Sequence, residues 1–260
     1  MKIVFLFAEK KQYVPALSVI HGTYPGRVYV NHVHAPSVAV VWAIGRWMYA
    51  EGSLSNETEK EHFNQFIHDV VIPDCWDRDV DWFEIYTADA ACWDDLFLSG
   101  FDNTMKVEKH YESIYTLNVE KFRDMNTSRL SSSEDITVDF TEFEILPKHY
   151  HDLPYVDSSF KEITSPGVAL RIDNQILSIC RNNGFVYGNE YCVDVDTFDA
   201  GLRKQGYATL AASQLIEYML SDNMFPLWET TYQNIPSHKL ALKLGFEAQE
   251  SYPVYAFHLR

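Results

Sequence analysis

The stretch of residues 190–246 constrains the fold most strongly, because several secondary-structure signals follow one another within it. Residues 191, 193 and 195 are apolar and alternate with more polar residues, as in a half-buried β-strand. From Tyr207 to Met219, apolar residues recur at three- and four-residue spacing, which predicts an amphipathic helix. A second strand is predicted over 225–232, and a short helix ends at Leu244. We therefore predict an α/β fold in which helices pack on a mixed sheet.

The turn before the long helix is basic and contains a glycine; its residues are Arg203, Lys204, Gln205, Gly206, Tyr207 and Ala208. At a helix start, backbone N–H groups lack partners and lie at the positive end of the helix dipole, which favours phosphate. Gly206 lets the backbone approach a ligand closely, and Ala208 keeps the first helical turn slim. Arg203 and Lys204 add positive charge. The turn therefore predicts a site for an anionic cofactor that carries a nucleotide.

Three features of this stretch resemble the GNAT superfamily of acetyl-coenzyme A-dependent N-acetyltransferases. They are Arg203, Gly206 and Ala208 in an Arg-x-x-Gly-x-Ala motif, Asn234 with Ser237 three residues later, and Leu244-Gly245-Phe246 before a closing strand. The pair Trp228-Glu229, with Ala241 in the following helix, is most similar to the two-domain zwittermicin-resistance-type branch. The resemblance implies a C-terminal GNAT-like acyltransferase domain that uses acetyl-coenzyme A as cosubstrate.

The resemblance also implies where the cosubstrate lies. In this superfamily the thioester lies between two parallel strands that splay apart, and these correspond here to residues 190–197 and 225–232. Backbone groups near Val193 and Val195 are expected to hold the pantetheine arm and the acetyl carbonyl. Asn234 and Ser237 complete the cofactor-binding residues, together with those of the basic turn.

Two carboxylates are candidates for the general base that takes a proton from an ammonium substrate. Strand alternation places one set of residues on a shared face of the first strand: Glu190, Cys192, Asp194 and Asp196. Glu190 on this face and Glu229 on the second strand are the two candidates. Alternatively, these carboxylates form a solvated sheet face or pair with arginine and lysine.

The proton donor for the leaving thiolate is a second open question. Many superfamily members have a tyrosine five residues before the Phe of Leu-Gly-Phe, and here that position is Ala241. Tyr232, Ser237 or a water molecule is expected to donate instead, although Tyr232 also fits a packed strand residue. Cys192 is a candidate acyl-carrying nucleophile, but its acidic neighbours raise a thiol pKa, so we favour a buried core cysteine.

The most polar stretch of the chain, residues 126–135, is the best candidate for a domain boundary. We predict an N-terminal mixed α/β domain over residues 1–128 and a C-terminal GNAT N-acetyltransferase domain over residues 134–260. By resemblance, the first is a reduced GNAT-like companion without its own cofactor turn. We also predict a helix over 56–71 that Pro73 ends, and a turn at 181–184.

The net charge of −16 argues against a nucleic-acid partner. Such a field favours cationic small substrates, or it serves solubility alone.

The apolar run at residues 3–8 is too short for a signal peptide or a membrane span. The four cysteines show no Cys-x-x-Cys spacing. We therefore expect a cytoplasmic protein with no membrane partner, and a homodimer is compatible with the sequence.

Histidine pairs are the best candidates for metal ligands. His32 with His34, and His149 with His151, each share a face if their segments are strands. Neither pair has a third ligand at motif spacing, so we predict no metal site.

These observations predict an N-acetyltransferase that moves an acetyl group from acetyl-coenzyme A to a primary amine of a small, cationic molecule by direct attack. Two alternatives stay open. One is a non-catalytic acyl-coenzyme A-binding or sensing protein, which the Ala241 substitution favours. The other is a protein or peptide N-acetyltransferase.

Overall fold

A computed structural model describes residues 3–8, 10–101, 105–125, 136–173 and 175–259, which form a mixed eleven-stranded sheet with helices. The strands are β1 Gly26–Val30, β2 Val38–Ala43, β3 Met48–Gly52, β4 Trp82–Tyr86, β5 Met105–Leu117, β6 Ile136–Glu144, β7 Thr164–Ile172, β8 Gln175–Tyr187, β9 Glu190–Asp196, β10 Phe225–Thr231 and β11 Phe246–Leu259. Their order in space is β1-β2-β3-β4-β11-β5-β10-β9-β8-β7-β6. The predicted α/β fold with a mixed sheet is confirmed.

Helices connect many of these strands: α1 Val4–Phe7, α2 Val14–His21, α3 Glu57–Phe66, α4 Ile72–Asp77, α5 Ala90–Ser99, α6 Val119–Asp124, α7 Tyr207–Ser221 and α8 Ile235–Lys243. As predicted, the Asn56 side chain caps α3 by accepting a hydrogen bond from the Glu59 N–H at 3.0 Å. The prediction that Pro73 ends this helix is wrong. The backbone continues through a π-helical turn, Ile67–Val71, into α4, and Pro73 lies in the first turn of α4, where proline is tolerated.

Two long strands from opposite halves of the sequence meet at the centre of the sheet. β11 pairs antiparallel with β4 on one side and with β5 on the other, and β5 also pairs antiparallel with β10. Each half therefore places its last strand against the other half. The sheet is continuous between the two predicted domains. The predicted boundary at 126–135 lies outside the described residues, so the division into domains stays a prediction.

The two halves repeat the same order of elements. β3 and β4 are parallel neighbours connected through α3 and α4, and β9 and β10 are parallel neighbours connected through α7. A parallel pair requires such a crossover connection, whereas antiparallel strands can be joined by a short turn. This repeat is consistent with two similar units built into one sheet.

The turn predicted at 181–184 is wrong. β8 continues to Tyr187, and its pairing with β9 shifts register between Asn182 and Val186. Gly184 lies within this irregularity and has a φ of 97°, a value that glycine adopts easily and other residues rarely adopt. The chain reverses later, at Gly188.

Apolar residues cover both faces of the sheet. On one face, Cys192 and Leu227 join a buried cluster with residues of α1 and α2. On the opposite face, Tyr191 and Trp228 pack with residues of α7 and α8. The strand alternation predicted for β9 is therefore observed. Among the described residues, no helix combines the length and apolar character needed to cross a membrane.

Candidate active site

A cleft opens where the parallel strands β9 and β10 separate. Their ladder pairs Phe225 with Glu190 and ends at the pair of Leu227 with Cys192. Beyond this point, the second halves of both strands line a cavity of about 290 Å³. Val193 and Val195, predicted to contact the cosubstrate through their backbone, are among the residues that line this cavity.

The basic turn leads into α7 with an open helix start. Gly206 is the N-cap residue, with a φ of 94° that glycine adopts without steric strain, and no side chain caps the helix. The Gly206 carbonyl accepts a hydrogen bond from the Leu210 N–H at 3.0 Å. The N–H groups at 207–209 precede this first intrahelical bond, so a ligand can accept from them. These features fit a bound phosphate.

The side chains of Arg203, Lys204 and Gln205 are exposed beside this helix start. Arg203 is held by a bond from its Nε to the Thr197 carbonyl at 3.3 Å, which leaves the outer guanidinium nitrogens available. Lys204 has a φ of 63°, so the turn contains two left-handed positions, 204 and 206, which are separated by one residue. Tyr207 and Ala208 occupy the first helical turn, partly exposed.

The corresponding helix of the first half, α3, has a different start. The Asn56 side chain accepts from the Glu59 N–H, and the Glu59 carboxylate accepts hydrogen bonds from the Ser55 N–H and hydroxyl at 2.6 and 2.8 Å. These bonds lower the pKa of the Glu59 carboxyl. A carboxylate at this position repels phosphate, so the α3 start does not fit an anionic cofactor.

Glu229 lines the cleft in the middle of β10. Its Oε1 is buried and has no hydrogen-bond partner among the described residues. Burial raises the pKa of this carboxyl well above its ordinary value, and the nearby Glu112 and Asp194 raise it further. A carboxylate with a raised pKa accepts a proton more readily near neutral pH, which is what a general base requires.

Asp194 and Cys192 also line the cleft but have other environments. Asp194 lies 3.7 Å from Arg46 and 3.4 Å from Arg181, so its charge is compensated by two guanidinium groups. Cys192 is 5% exposed, and burial followed by the charge of Glu229 raises its pKa well above the ordinary value. A thiol in this environment stays protonated and is a poor nucleophile. This agrees with a core role for Cys192.

Two of the predicted catalytic residues lie away from the cleft. Glu190 is at the closed end of the β9–β10 pair, where its carboxylate contacts the Nζ of Lys11. Tyr232 follows β10 and has 65% of its surface exposed. Their positions favour Glu229 over Glu190 as the base, and a donor other than Tyr232 for the leaving group.

Asn234 and Ser237 stand at the start of α8, at the edge of the same cleft. The Asn234 Oδ1 accepts from the Ser237 N–H at 3.3 Å and caps the helix. The Ser237 hydroxyl accepts from the Trp228 indole Nε1 at 2.9 Å. Ala241, at the position where the resemblance implies a tyrosine, is fully buried in the apolar cluster that contains Trp228. It has no group that can transfer a proton.

Three cavity residues come from the first half of the chain and were not predicted: Trp47, Tyr86 and Glu112. Glu112 reaches the cleft because β5 lies directly beside β10. One signal was present in the sequence, since His110 and Glu112 alternate with Tyr111 and Ser113 in what the structure shows to be β5. Charged residues on a strand face are typical of a site, but only the strand order shows that this face meets Glu229.

Metal ligands are not grouped in the part of the chain that the structure describes: no three His, Cys, Asp or Glu side chains are placed to hold an ion. Of the histidines considered as ligands, His151 contacts the Leu146 carbonyl at 3.0 Å through its Nε2.

The sequence matches the model of the GNAT acetyltransferase family over residues 5–255. Three solved structures are similar over nearly the whole chain: a GCN5-related N-acetyltransferase-like protein from Streptococcus suis (18% identity, 99% of this chain and 97% of that chain, TM-score 0.68), a GCN5-related N-acetyltransferase from Kribbella flavida (12%, 94% and 93%, 0.55) and a tandem GNAT protein from the clavulanic acid biosynthesis pathway (10%, 94% and 93%, 0.52). At these identities the similarity shows the fold alone. No curated protein sequence matches the chain.

Proposed function

Because the chain belongs to the GNAT acetyltransferase family, we propose that it transfers an acetyl group from acetyl-coenzyme A to a primary amine of a small, cationic molecule by direct attack. The observation that carries this proposal is the unpartnered Glu229 carboxylate in the cleft where β9 and β10 separate. It combines a proton acceptor with a space that opens between two strands.

The cofactor proposal rests on the open start of α7. The N–H groups that follow Gly206, with Arg203 and Lys204, bind the phosphates, while Gln205, Tyr207 and Ala208 complete the turn. The backbone at Val193 and Val195 binds the pantetheine arm, and Asn234 and Ser237 border the same cleft. Acetyl-coenzyme A supplies the acetyl group as an activated thioester. No other described feature fits its phosphates as well.

In the proposed reaction, Glu229 takes one proton from the substrate ammonium, directly or through water. The free amine then forms the C–N bond as the C–S bond breaks, and the second proton released by the nitrogen passes through groups or water of the cleft to the departing sulfur. Backbone N–H groups of β9 stabilise the negative charge that develops on the acetyl oxygen, a contribution of about 3 kcal/mol in other acyl transfers.

The size and charge of the cavity support a small, cationic acceptor. Its volume of about 290 Å³ lies at the lower end of the range for ligand sites, and protein side chains border it on several strands. Its carboxylates include Glu112, Asp194 and Glu229. An ammonium group is attracted to such a surface, whereas an anionic acceptor is repelled.

One observation favours a second function. Ala241 is buried where many superfamily members carry the tyrosine that protonates the leaving thiolate, so a non-catalytic acyl-coenzyme A-binding or sensing protein is the alternative. A protein or peptide N-acetyltransferase is less well supported, because the cavity is small. We also propose that the protein belongs to the zwittermicin-resistance-type branch, is located in the cytoplasm and forms a homodimer.

Calorimetric titration with acetyl-coenzyme A and with its dephospho form, followed by an amine panel assayed for thiol release, tests the proposal. We expect micromolar binding of acetyl-coenzyme A and release of one thiol for each amine acetylated. Binding without acetylation of any amine supports the sensing alternative. An absence of binding to either form rules out the cofactor assignment and the proposed function with it.

A further inference from the structure

We propose that the acceptor is a linear diamine, whose reacting ammonium binds at Glu229 and whose second ammonium binds at Glu112. This inference rests on the proposed acetyl transfer and adds the substrate class. Glu112 belongs to β5, contributed by the first half of the chain, and is 6% exposed while lining the same cavity as Glu229. The subsite therefore exists only because the two halves share one sheet.

The carboxylates of this sheet face have too few positive partners. Asp194 is compensated by two arginines, but Glu112 and Glu84 have only one cationic neighbour within 4.0 Å among the described residues, His110, at 3.5 and 3.7 Å. Glu229 has none there. Buried carboxylates need nearby positive charge or must hold a proton. Two ammonium groups of one ligand supply the missing charge.

A buried polar atom without a partner, on a residue that lines the cavity, indicates a polar ligand. The Glu229 Oε1 is buried without a hydrogen-bond partner among the described residues. Natural proteins rarely leave such groups unsatisfied unless a ligand or water completes them. An ammonium group donates the hydrogen bond that such a carboxylate oxygen accepts.

The strand register sets the length of the diamine. Glu229 pairs with Ile114, and Glu112 pairs with Thr231, so the two carboxylates are diagonal neighbours on one face of β10 and β5. Diagonal neighbours are about 7–8 Å apart, and a chain of about three to five carbon atoms between two nitrogens spans that spacing. A simple monoamine of the same length fills only one subsite.

The test compares 1,4-diaminobutane with butylamine at saturating acetyl-coenzyme A. We expect a kcat/KM for the diamine at least about tenfold higher, since a buried charge pair contributes strongly to binding. Glu112→Gln should abolish this preference, so that kcat/KM for the diamine falls to the value that the same variant gives with butylamine. Glu142→Gln, the same substitution at an exposed position of β6, should retain the preference. Equal kcat/KM values for the two amines in the native protein would overturn the inference but not the acetyl transfer.

Binding measured without turnover separates this inference from the proposed function. Trp47 and Trp228 line the cavity, so their fluorescence should change when 1,4-diaminobutane binds in the presence of coenzyme A. We expect tighter binding of the diamine than of butylamine in the native protein and in Glu142→Gln, but not in Glu112→Gln. This pattern supports the subsite even if no amine is acetylated. Equal affinity for both amines, or no binding of the diamine, would refute it.

Discussion

The indole Nε1 of Trp228 donates a hydrogen bond to the Oγ of Ser237, 2.9 Å away, at the edge of the cleft. Because the serine oxygen accepts this bond, its own hydrogen stays available for donation to another acceptor. Trp228 is held in β10 and 4% exposed, so the serine is attached to a rigid support. We therefore propose Ser237 as the donor of the proton that the resemblance assigns to a tyrosine at position 241.

Ser237→Ala should lower kcat for acetyl transfer by about tenfold, less than the 10²–10⁴-fold of a full general acid, because water can take over part of the role. The KM for acetyl-coenzyme A should change little. Steady-state thiol release measures both constants. Tyr232→Phe is the control, and it should keep native activity because Tyr232 is largely exposed. A kcat loss confined to Tyr232→Phe would assign the proton donor to the tyrosine instead.

Glu229→Gln should lower kcat by about 10²–10⁴-fold, because the substrate ammonium loses its proton acceptor. Calorimetry should show unchanged affinity for acetyl-coenzyme A, because we propose that its phosphates bind at the start of α7. Glu190→Gln is the matched control, since this carboxylate contacts Lys11 outside the cleft. Full activity in Glu229→Gln together with a large loss in Glu190→Gln would reverse the assignment.

The pH dependence of activity should also identify Glu229 as the base. Burial and neighbouring carboxylates raise the pKa of Glu229, and the base acts only when deprotonated. Activity should therefore fall as the pH decreases through this raised pKa, at a higher pH than for an exposed glutamate. The acid limb of kcat/KM should disappear in Glu229→Gln. An acid limb that persists unchanged in this variant would assign it to another group, such as His110.

Glu229 should also make stability depend on pH. A carboxyl whose pKa is raised in the folded protein binds its proton more tightly there than in the unfolded chain. Its contribution to stability is present below the unfolded pKa and is lost as the pH rises through the folded pKa. At pH 8, Glu229→Gln should therefore melt higher than the native protein, by about 2–4 °C for each kcal/mol of ionisation cost removed. Glu142→Gln should show no such gain.

Local sequence patterns predicted the second half of the fold well. The alternation in β9, the apolar stripe of α7 and the glycine at its start lie within short windows, where periodicity and backbone preference decide the structure. Pro73 was misread because proline is compatible with the first turn of a new helix as well as with the end of an old one.

The acidic side of the cavity could not be predicted in the same way. Glu112 reaches Glu229 through pairing of β5 with β10, strands from opposite halves of the sequence. Strand order depends on which long-range pairings bury the most apolar surface, and no local pattern records that choice. The sequence alone also does not decide between Glu190 and Glu229 as the general base. Only the point at which the β9–β10 ladder ends separates them.

Gly206→Trp should abolish acetyl-coenzyme A binding, because a large side chain at the N-cap of α7 fills the space that the phosphates require. Backbone strain alone is a competing explanation, since Gly206 has a positive φ. Gly188→Trp controls for it: Gly188 has a φ of 60°, and nothing lies within 4 Å of the position of an added Cβ. Both variants should lose stability to a similar extent, measured by thermal melting, but only Gly206→Trp should lose calorimetric binding. Native affinity in folded Gly206→Trp would refute the phosphate site at this turn.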